Sequence, residues 1–193
     1  MREPVGLILA GGRGTRMGGI AKADIDLGGR RLLDHVAQRL EPQVRSLAVN
    51  ANAPLASDWP IVADVDAGFL GPLAGILAGL HWAEALGAAH MVSVAVDTPF
   101  FPCDLVPQLL LAGETHAQGF AIAATRDGQH GTFGIWPVAL RDDLAGFMAD
   151  GGRKVRDWTT RHNAALAHFA DTTPPAFFNI NTTRDLAQAQ AWL

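Results

Sequence analysis

A chain of 193 residues that is 49% hydrophobic and 18% charged can bury one core with no disulfide or metal to hold it. A single cysteine, Cys103, excludes an intrachain disulfide and a multi-cysteine zinc site, and the net charge of −4 argues against a general nucleic-acid surface. No apolar run is long enough to cross a bilayer and the N-terminus lacks a signal-peptide pattern, so the expectation is a cytoplasmic protein with neither membrane nor nucleic-acid partner.

Short Val- and Ile-rich runs alternate with stretches of helical period, the pattern of βα units around a mainly parallel sheet. The spacing predicts strands near Val5–Leu9, Ser46–Asn50, Pro60–Ala63 and Met91–Val96, and further ones near Gly119–Thr125, Thr132–Trp136 and Leu166–Phe169. Leu32, Leu33, Val36 and Leu40 share one helical face, as do Leu73, Ile76, Leu77 and Leu80, which predicts two amphipathic helices packed on the sheet. Pro72 stands where a first helical residue belongs, after Gly71, and Thr182-Thr183-Arg184-Asp185 reads as a capping box opening a last helix. The fold class expected is α/β: one Rossmann-like three-layer domain over residues 1–193, a mostly parallel sheet with helices on both faces.

The first strand runs into Leu9-Ala10-Gly11-Gly12-Arg13-Gly14-Thr15-Arg16-Met17-Gly18-Gly19, with Lys22 close behind. Glycine-rich backbone at the carboxyl edge of such a sheet lets amide N–H groups converge on an anion. A P-loop would need Ser or Thr after its Gly-Lys, whereas Lys22 sits between Ala21 and Ala23, and a dinucleotide loop would need glycine where Met17 stands. Three cations, Arg13, Arg16 and Lys22, suit a triphosphate.

This loop resembles the signature of nucleotidyltransferases that load guanylate or cytidylate onto small phosphorylated acceptors, and the chain is similar throughout to molybdenum cofactor guanylyltransferases of the MobA type. The resemblance implies a nucleotidyltransferase fold of GT-A type in which Leu9, Ala10, Gly11, Gly12 and Gly14 bind GTP and Lys22 contacts its phosphates. Arg13 and Arg16 would steady the leaving pyrophosphate.

Four other stretches carry chemistry. Asn50-Ala51-Asn52 closes the second strand and reads either as a turn or as amides facing a base; the resemblance places Asn50 near guanine. Gly71-Pro72-Leu73-Ala74-Gly75 matches a second signature of the family, and Asp64 corresponds to the aspartate that accepts from the N1–H and amine of guanine, with Asp66 read as a solvated loop acid. Asp97 ends a buried strand, which suits either a helix N-cap or a hard divalent cation, and the resemblance favours Mg²⁺. Asn179 and Asn181 in Phe177-Phe178-Asn179-Ile180-Asn181-Thr182 either cap the last helix or, as the resemblance implies, lie near metal and acceptor.

Arg153 and Lys154 form either a solvated basic face or, by the resemblance, contacts to the acceptor phosphate. At His130 the family carries His-Pro-Thr, and here Gly131 replaces the proline. Cys103 has no basic neighbour in sequence and is expected to be inert. The function expected is GMP transfer from GTP to molybdopterin by a monomer that makes transient contact with other cofactor-biosynthesis proteins or recipient apoenzymes. A related cytidylyltransferase and a non-catalytic cofactor carrier remain open.

Overall fold

The computed structural model describes residues 3–12, 21–65 and 71–193. Nine strands are present among them: β1 (Val5–Leu9), β2 (Asp26–Leu27), β3 (Arg30–Arg31), β4 (Leu47–Asn50), β5 (Ile61–Val62), β6 (His90–Ala95), β7 (Ala121–Thr125), β8 (Gly128–Pro137) and β9 (Ala165–His168). The α-helices are α1 (Leu32–Leu40), α2 (Pro72–Ala85), α3 (Leu105–Gly113), α4 (Arg141–Ala149), α5 (Val155–Arg161) and α6 (Thr183–Gln190). Seven strands form one sheet in the order β5-β4-β1-β6-β8-β7-β9. Only β8 runs against its neighbours; the pairs β5–β4, β4–β1, β1–β6 and β7–β9 are parallel.

Successive side chains of a strand point to opposite faces, and β1 distributes its apolar residues accordingly. Val5 and Leu7 enter the core beneath α2, with Met91, Phe120, Trp136 and Trp158, whereas Ile8 enters the core on the opposite face, with Leu33, Val36, Leu40 and Leu105. Ser93 is fully buried but satisfied: its hydroxyl donates to the Thr132 carbonyl at 2.7 Å and accepts from Trp136 Nε1 at 2.8 Å.

Three features differ from expectation. Helix α2 is not amphipathic along its first two turns: every residue from Leu73 to Leu80 is buried, the helix packing on the sheet and against α4, which shares its core. Strand β8 begins at Gly128 rather than near Thr132, since a two-residue loop pairs Thr125 with Gly128 and carries a polar, weakly β-forming segment into the ladder. The β2–β3 hairpin was not foreseen. Its loop, Gly28-Gly29, has φ of 65° and 83°, the left-handed pair that a tight hairpin turn needs and that glycine adopts without strain.

This hairpin belongs to a third, smaller core in which Ile25, Leu27 and Leu32 pack against Ile180 and Ala189. It clamps the segment before α6 onto the segment after the glycine loop. That clamp decides the geometry of the site.

Candidate active site at the carboxyl edge of the sheet

Strands β1, β4, β5 and β6 all end on one edge. The Ala10 N–H donates to the Asn50 carbonyl at 2.9 Å and the Val96 N–H to the Leu9 carbonyl at 3.2 Å, so the glycine loop leaves the sheet between the ends of β4 and β6. Leu9 and Ala10 are half-buried, and Gly11 and Gly12 are exposed. Arg13, Gly14 and Arg16 lie outside the described residues, as does Asp66.

The chain returns in a 3-10 turn, Lys22–Asp24, whose Ala23 is buried against α1. From there the Lys22 ammonium donates to Asp97 Oδ2 and to Asn181 Oδ1, each at 2.6 Å. An ammonium has only donors, so this contact fixes the Asn181 amide with its oxygen inward. Asp97 is the second residue after β6, and its backbone carbonyl accepts from the Ile180 N–H at 2.8 Å, which pins the segment before α6 across the strand end. The fully buried Thr98 hydroxyl donates to Asn179 Oδ1 at 2.5 Å and lies 3.2 Å from Asp97 Oδ1.

Both capping alternatives lapse. Asp104, not Asp97, stands at the N-cap position of the next helix, and α6 is capped by Thr182 and Asp185 in a reciprocal capping box, leaving the Asn179 and Asn181 side chains to the site. Asp185 is held below the usual carboxylate range by the Asn181 N–H and the Thr182 hydroxyl and N–H.

A second group forms at the ends of β4 and β5. Asn50, 3% exposed, donates through Nδ2 to the Val62 carbonyl at 3.0 Å and to Asp64 Oδ1 at 2.8 Å. Asn52 Nδ2 donates to Asp64 Oδ2 at 2.8 Å and its Oδ1 accepts from the Asp64 N–H at 2.8 Å. The Asn-x-Asn pair thus orients a carboxylate and is not a simple turn. The Asn50 amide is bracketed by two glycines: a Cβ on Gly11 would stand 3.0 Å from Asn50 Oδ1, and one on Gly75 would overlap that oxygen and meet Leu9 at 2.8 Å. Gly71, at φ 105°, turns the chain into α2 with Pro72 as its first residue.

Beside Asn179 a cavity of about 360 Å³ opens between the β7–β8 hairpin and the segment leading to α6. His130 is stacked on Phe177 with ring centroids 4.1 Å apart and 14° between planes, and its Nε2 is 2.9 Å from the Thr125 hydroxyl. Burial pushes the imidazole below the ordinary histidine range, against the pull of Asp127.

Arg153 and Lys154 are placed differently from the asparagines. Arg153 Nη1 donates to the carbonyls of Met148 at 2.6 Å and Gly152 at 2.7 Å, closing the end of α4, and Lys154 is the exposed residue before α5. The adjoining Val155 packs in the α2-side core, whereas Phe177 lies in the α1-side core, so the two cations and the His130 cavity stand on opposite faces of the sheet. Cys103 does have a basic neighbour: it is exposed, and Arg39 Nη1 donates to its Sγ at 3.2 Å, a contact made by packing of α1 that its own sequence surroundings do not show.

Sequence reasoning missed Thr98 as the link between Asp97 and Asn179, and Asn52 as a holder of Asp64. The Asp-Thr-Pro and Asn-x-Asn spacings carried those signals.

The same architecture occurs in solved structures. A molybdopterin-guanine dinucleotide biosynthesis protein A from Archaeoglobus fulgidus superposes with a TM-score of 0.75 at 23% identity, over 97% of each chain. A 2-C-methyl-D-erythritol 4-phosphate cytidylyltransferase from Thermus thermophilus does so with a TM-score of 0.69 at 20% identity, over 99% of this chain and 98% of that one. The fold is that of the nucleotidyltransferases. A model of the MobA-like NTP transferase domain matches residues 6–166. Relatives named molybdenum cofactor guanylyltransferase are 47% identical in Cereibacter sphaeroides, over 97% of this chain and 96% of that one, and in Rhizobium leguminosarum, over 99% and 93%. The chain belongs to the MobA-like NTP transferase family. None of the described helices is long and apolar enough to cross a membrane.

Proposed function

We infer that this protein, acting as one nucleotidyltransferase domain, transfers GMP from GTP to the terminal phosphate of molybdopterin, releasing pyrophosphate and forming the guanine dinucleotide cofactor. The observation that carries this reading is the convergence of Lys22, Asp97 and Asn181 at the carboxyl edge, in a chain 47% identical to proteins named for that activity.

The oxygens of Asp97 and Asn181 meet at one cationic point, the Lys22 ammonium, each at 2.6 Å, and hard oxygen donors around a positive centre suit Mg²⁺. Among the described residues no group of three or more His, Cys, Asp or Glu could hold a metal, so the protein would give Asp97 and Asn181 and leave the remaining positions to water and phosphate. A bound Mg²⁺ supplies charge neutralisation at the α-phosphate.

The chain's own residues do the rest. A phosphate monoester has a second pKa of ~6, so the attacking oxygen is largely ionised at neutral pH and needs no general base. That oxygen forms a bond to the α-phosphorus as the bond to the β-phosphate oxygen breaks, and pyrophosphate departs with the electron pair. Lys22, with Arg13 and Arg16 of the glycine loop, neutralises the β- and γ-phosphates, while the amides of Gly11, Gly12 and Gly14 hold the triphosphate in line. Asp64, oriented by Asn50 and Asn52, keeps acceptor capacity for the N1–H and amine of guanine, a donor pair that cytosine and adenine lack.

The test is pyrophosphate release with Mg²⁺ and molybdopterin, run in parallel with GTP and CTP. Release with GTP alone supports the reading; release with CTP alone moves the protein to the cytidylyltransferases; release with neither refutes transfer to this acceptor.

A further inference from the structure

Phosphate and base are gripped by different parts of the chain, and the Arg31 side chain spans the two. Lys22 stands on the 3-10 turn Lys22–Asp24, which leads directly into the β2–β3 hairpin. Arg31 closes that hairpin: it pairs with Asp26, and the next N–H, of Leu32, donates to the Ile25 carbonyl at 2.9 Å as α1 begins. The Arg31 backbone is therefore fixed to the Lys22 turn. Its guanidinium is aimed by Asp34, in the first turn of α1, through a bidentate contact: Nε donates to Oδ2 at 3.0 Å and Nη2 to Oδ1 at 2.7 Å. Asp24, two residues past Lys22, adds a carboxylate oxygen 3.5 Å from Nη1.

The same Nη1 donates to the Ala56 carbonyl at 2.7 Å. Ala56 is exposed, in the middle of residues 51–60, which contain no helix or strand and join β4 to β5. Asn52 lies at the near end of this loop and Asp64 just beyond β5, and the two are bonded to each other through both Asp64 oxygens' side of the amide pair described above. At the far end Trp59 Nε1 donates to Glu41 Oε1 at 3.1 Å.

We propose that Arg31 is a positioning residue for the nucleotide: it holds the loop between Asn52 and β5 to the turn that carries Lys22, and so fixes the separation of the base grip from the phosphate grip. The inference rests on the guanylyl-transfer reading given above and deepens it by naming what sets the span of the site. A loop released at Ala56 carries Asn52 with it on one side and β5 on the other, and Asp64 moves relative to Lys22. A ligand held at both ends gains from its second contact only while the span between the grips matches its own length. Lysine does not substitute here, because an ammonium is a point charge with no planar fork and cannot keep two parallel donors on Asp34 and a third on Ala56.

The test separates the linkage from the grips. GTP, guanosine and inorganic tripolyphosphate are each titrated by calorimetry, in one Mg²⁺ buffer, into wild type, Arg31→Lys and Arg31→Met. The expected result is GTP affinity weakened roughly tenfold in both variants, with guanosine and tripolyphosphate each within twofold of wild type, because each fragment fills one grip. A merely structural role weakens the fragments along with GTP, and that result overturns the proposal. GTP affinity within twofold of wild type in either variant overturns it too, as does absence of guanosine binding to wild type, which leaves no base grip to position. Arg31→Lys keeps the charge and most of the stem, so the test stands even if Arg31→Met does not fold. Turnover is read separately. If wild type forms no dinucleotide from GTP and molybdopterin, the transfer reading fails, and the isotherms, which need no acceptor, still decide Arg31.

Discussion

The Lys22 ammonium and the Asp97 carboxylate, 75 positions apart in the chain, form an ion pair at 2.6 Å with only about a fifth of either side chain exposed. The same nitrogen reaches Asn181 Oδ1, so a cation of the protein occupies the point where the oxygens of the site converge.

Two outcomes are expected of Lys22. Lys22→Ala lowers kcat/KM by roughly 10²-fold or more, the usual effect of removing one preorganised charge donor; steady-state kinetics with a loss below about threefold would remove Lys22 from the mechanism. Lys22→Met, with nucleotide absent, binds Mn²⁺ about tenfold more tightly than wild type, because a like charge at contact distance no longer opposes the ion. Electron paramagnetic resonance of free Mn²⁺ reads this independently of turnover, and unchanged affinity refutes competition between ammonium and metal.

Asp64 is held by Asn50 and Asn52 at 2.8 Å each. Asp64→Asn replaces an acceptor-only group by one with its own N–H donors, which face the amides of both neighbours and the donor edge of guanine. The ratio of kcat/KM for GTP over CTP falls by roughly tenfold or more. A competition assay in which the ratio stays constant removes Asp64 from base selection.

Gly75 admits the Asn50 side chain. Gly75→Ala drives a methyl into Asn50 and Leu9, and a buried clash of this size costs about 1–3 kcal/mol. Urea unfolding gives a lower midpoint at constant m, with a raised GTP KM because Asn50 carries Asp64 with it. Equal midpoints for variant and wild type would show that the backbone moves aside freely.

Acid stability depends on Asp143. Burial acts to raise this carboxyl, but hydrogen bonds from Trp158 Nε1 at 2.9 Å and His162 Nε2 at 2.7 Å, with the charges of His162 and Arg161, hold it below the usual carboxylate range. A folded-state pKa below the unfolded value stabilises the fold above the unfolded pKa of ~4, and that contribution is lost as pH falls through the folded value. Thermal unfolding therefore shows Tm declining below about pH 4, and Asp143→Asn makes the decline shallower. The wild-type slope persisting in the variant assigns acid unfolding to other carboxylates.

Much of this protein was legible in its residues because the signals are local. Val5–Leu9 is a strand at its predicted bounds, Pro72 opens α2, and Thr182 with Asp185 caps α6, since backbone propensity and side-chain capping act within a few residues. The apolar run ending in Asp97 and the glycines beside Lys22 marked the carboxyl edge for the same reason. Contacts across the fold were not legible. The continuous burial of Leu73 to Leu80 in α2 depends on packing against the sheet and α4, the Arg39 contact to Cys103 depends on how α1 packs, and the separation of Arg153 and Lys154 from the His130 cavity depends on which face of the sheet each loop meets.

The sequence by itself determined the composition of the site: a glycine loop, a lysine, a strand-end carboxylate and paired asparagines. Only the tertiary structure decided that Lys22 and Asn181 meet across 159 positions, because burying Ile25 and Leu27 against Ile180 and Ala189 holds two distant segments together. The hydrophobic energy of that small core is nonspecific, and the 2.6 Å contacts beside it supply the chemical specificity.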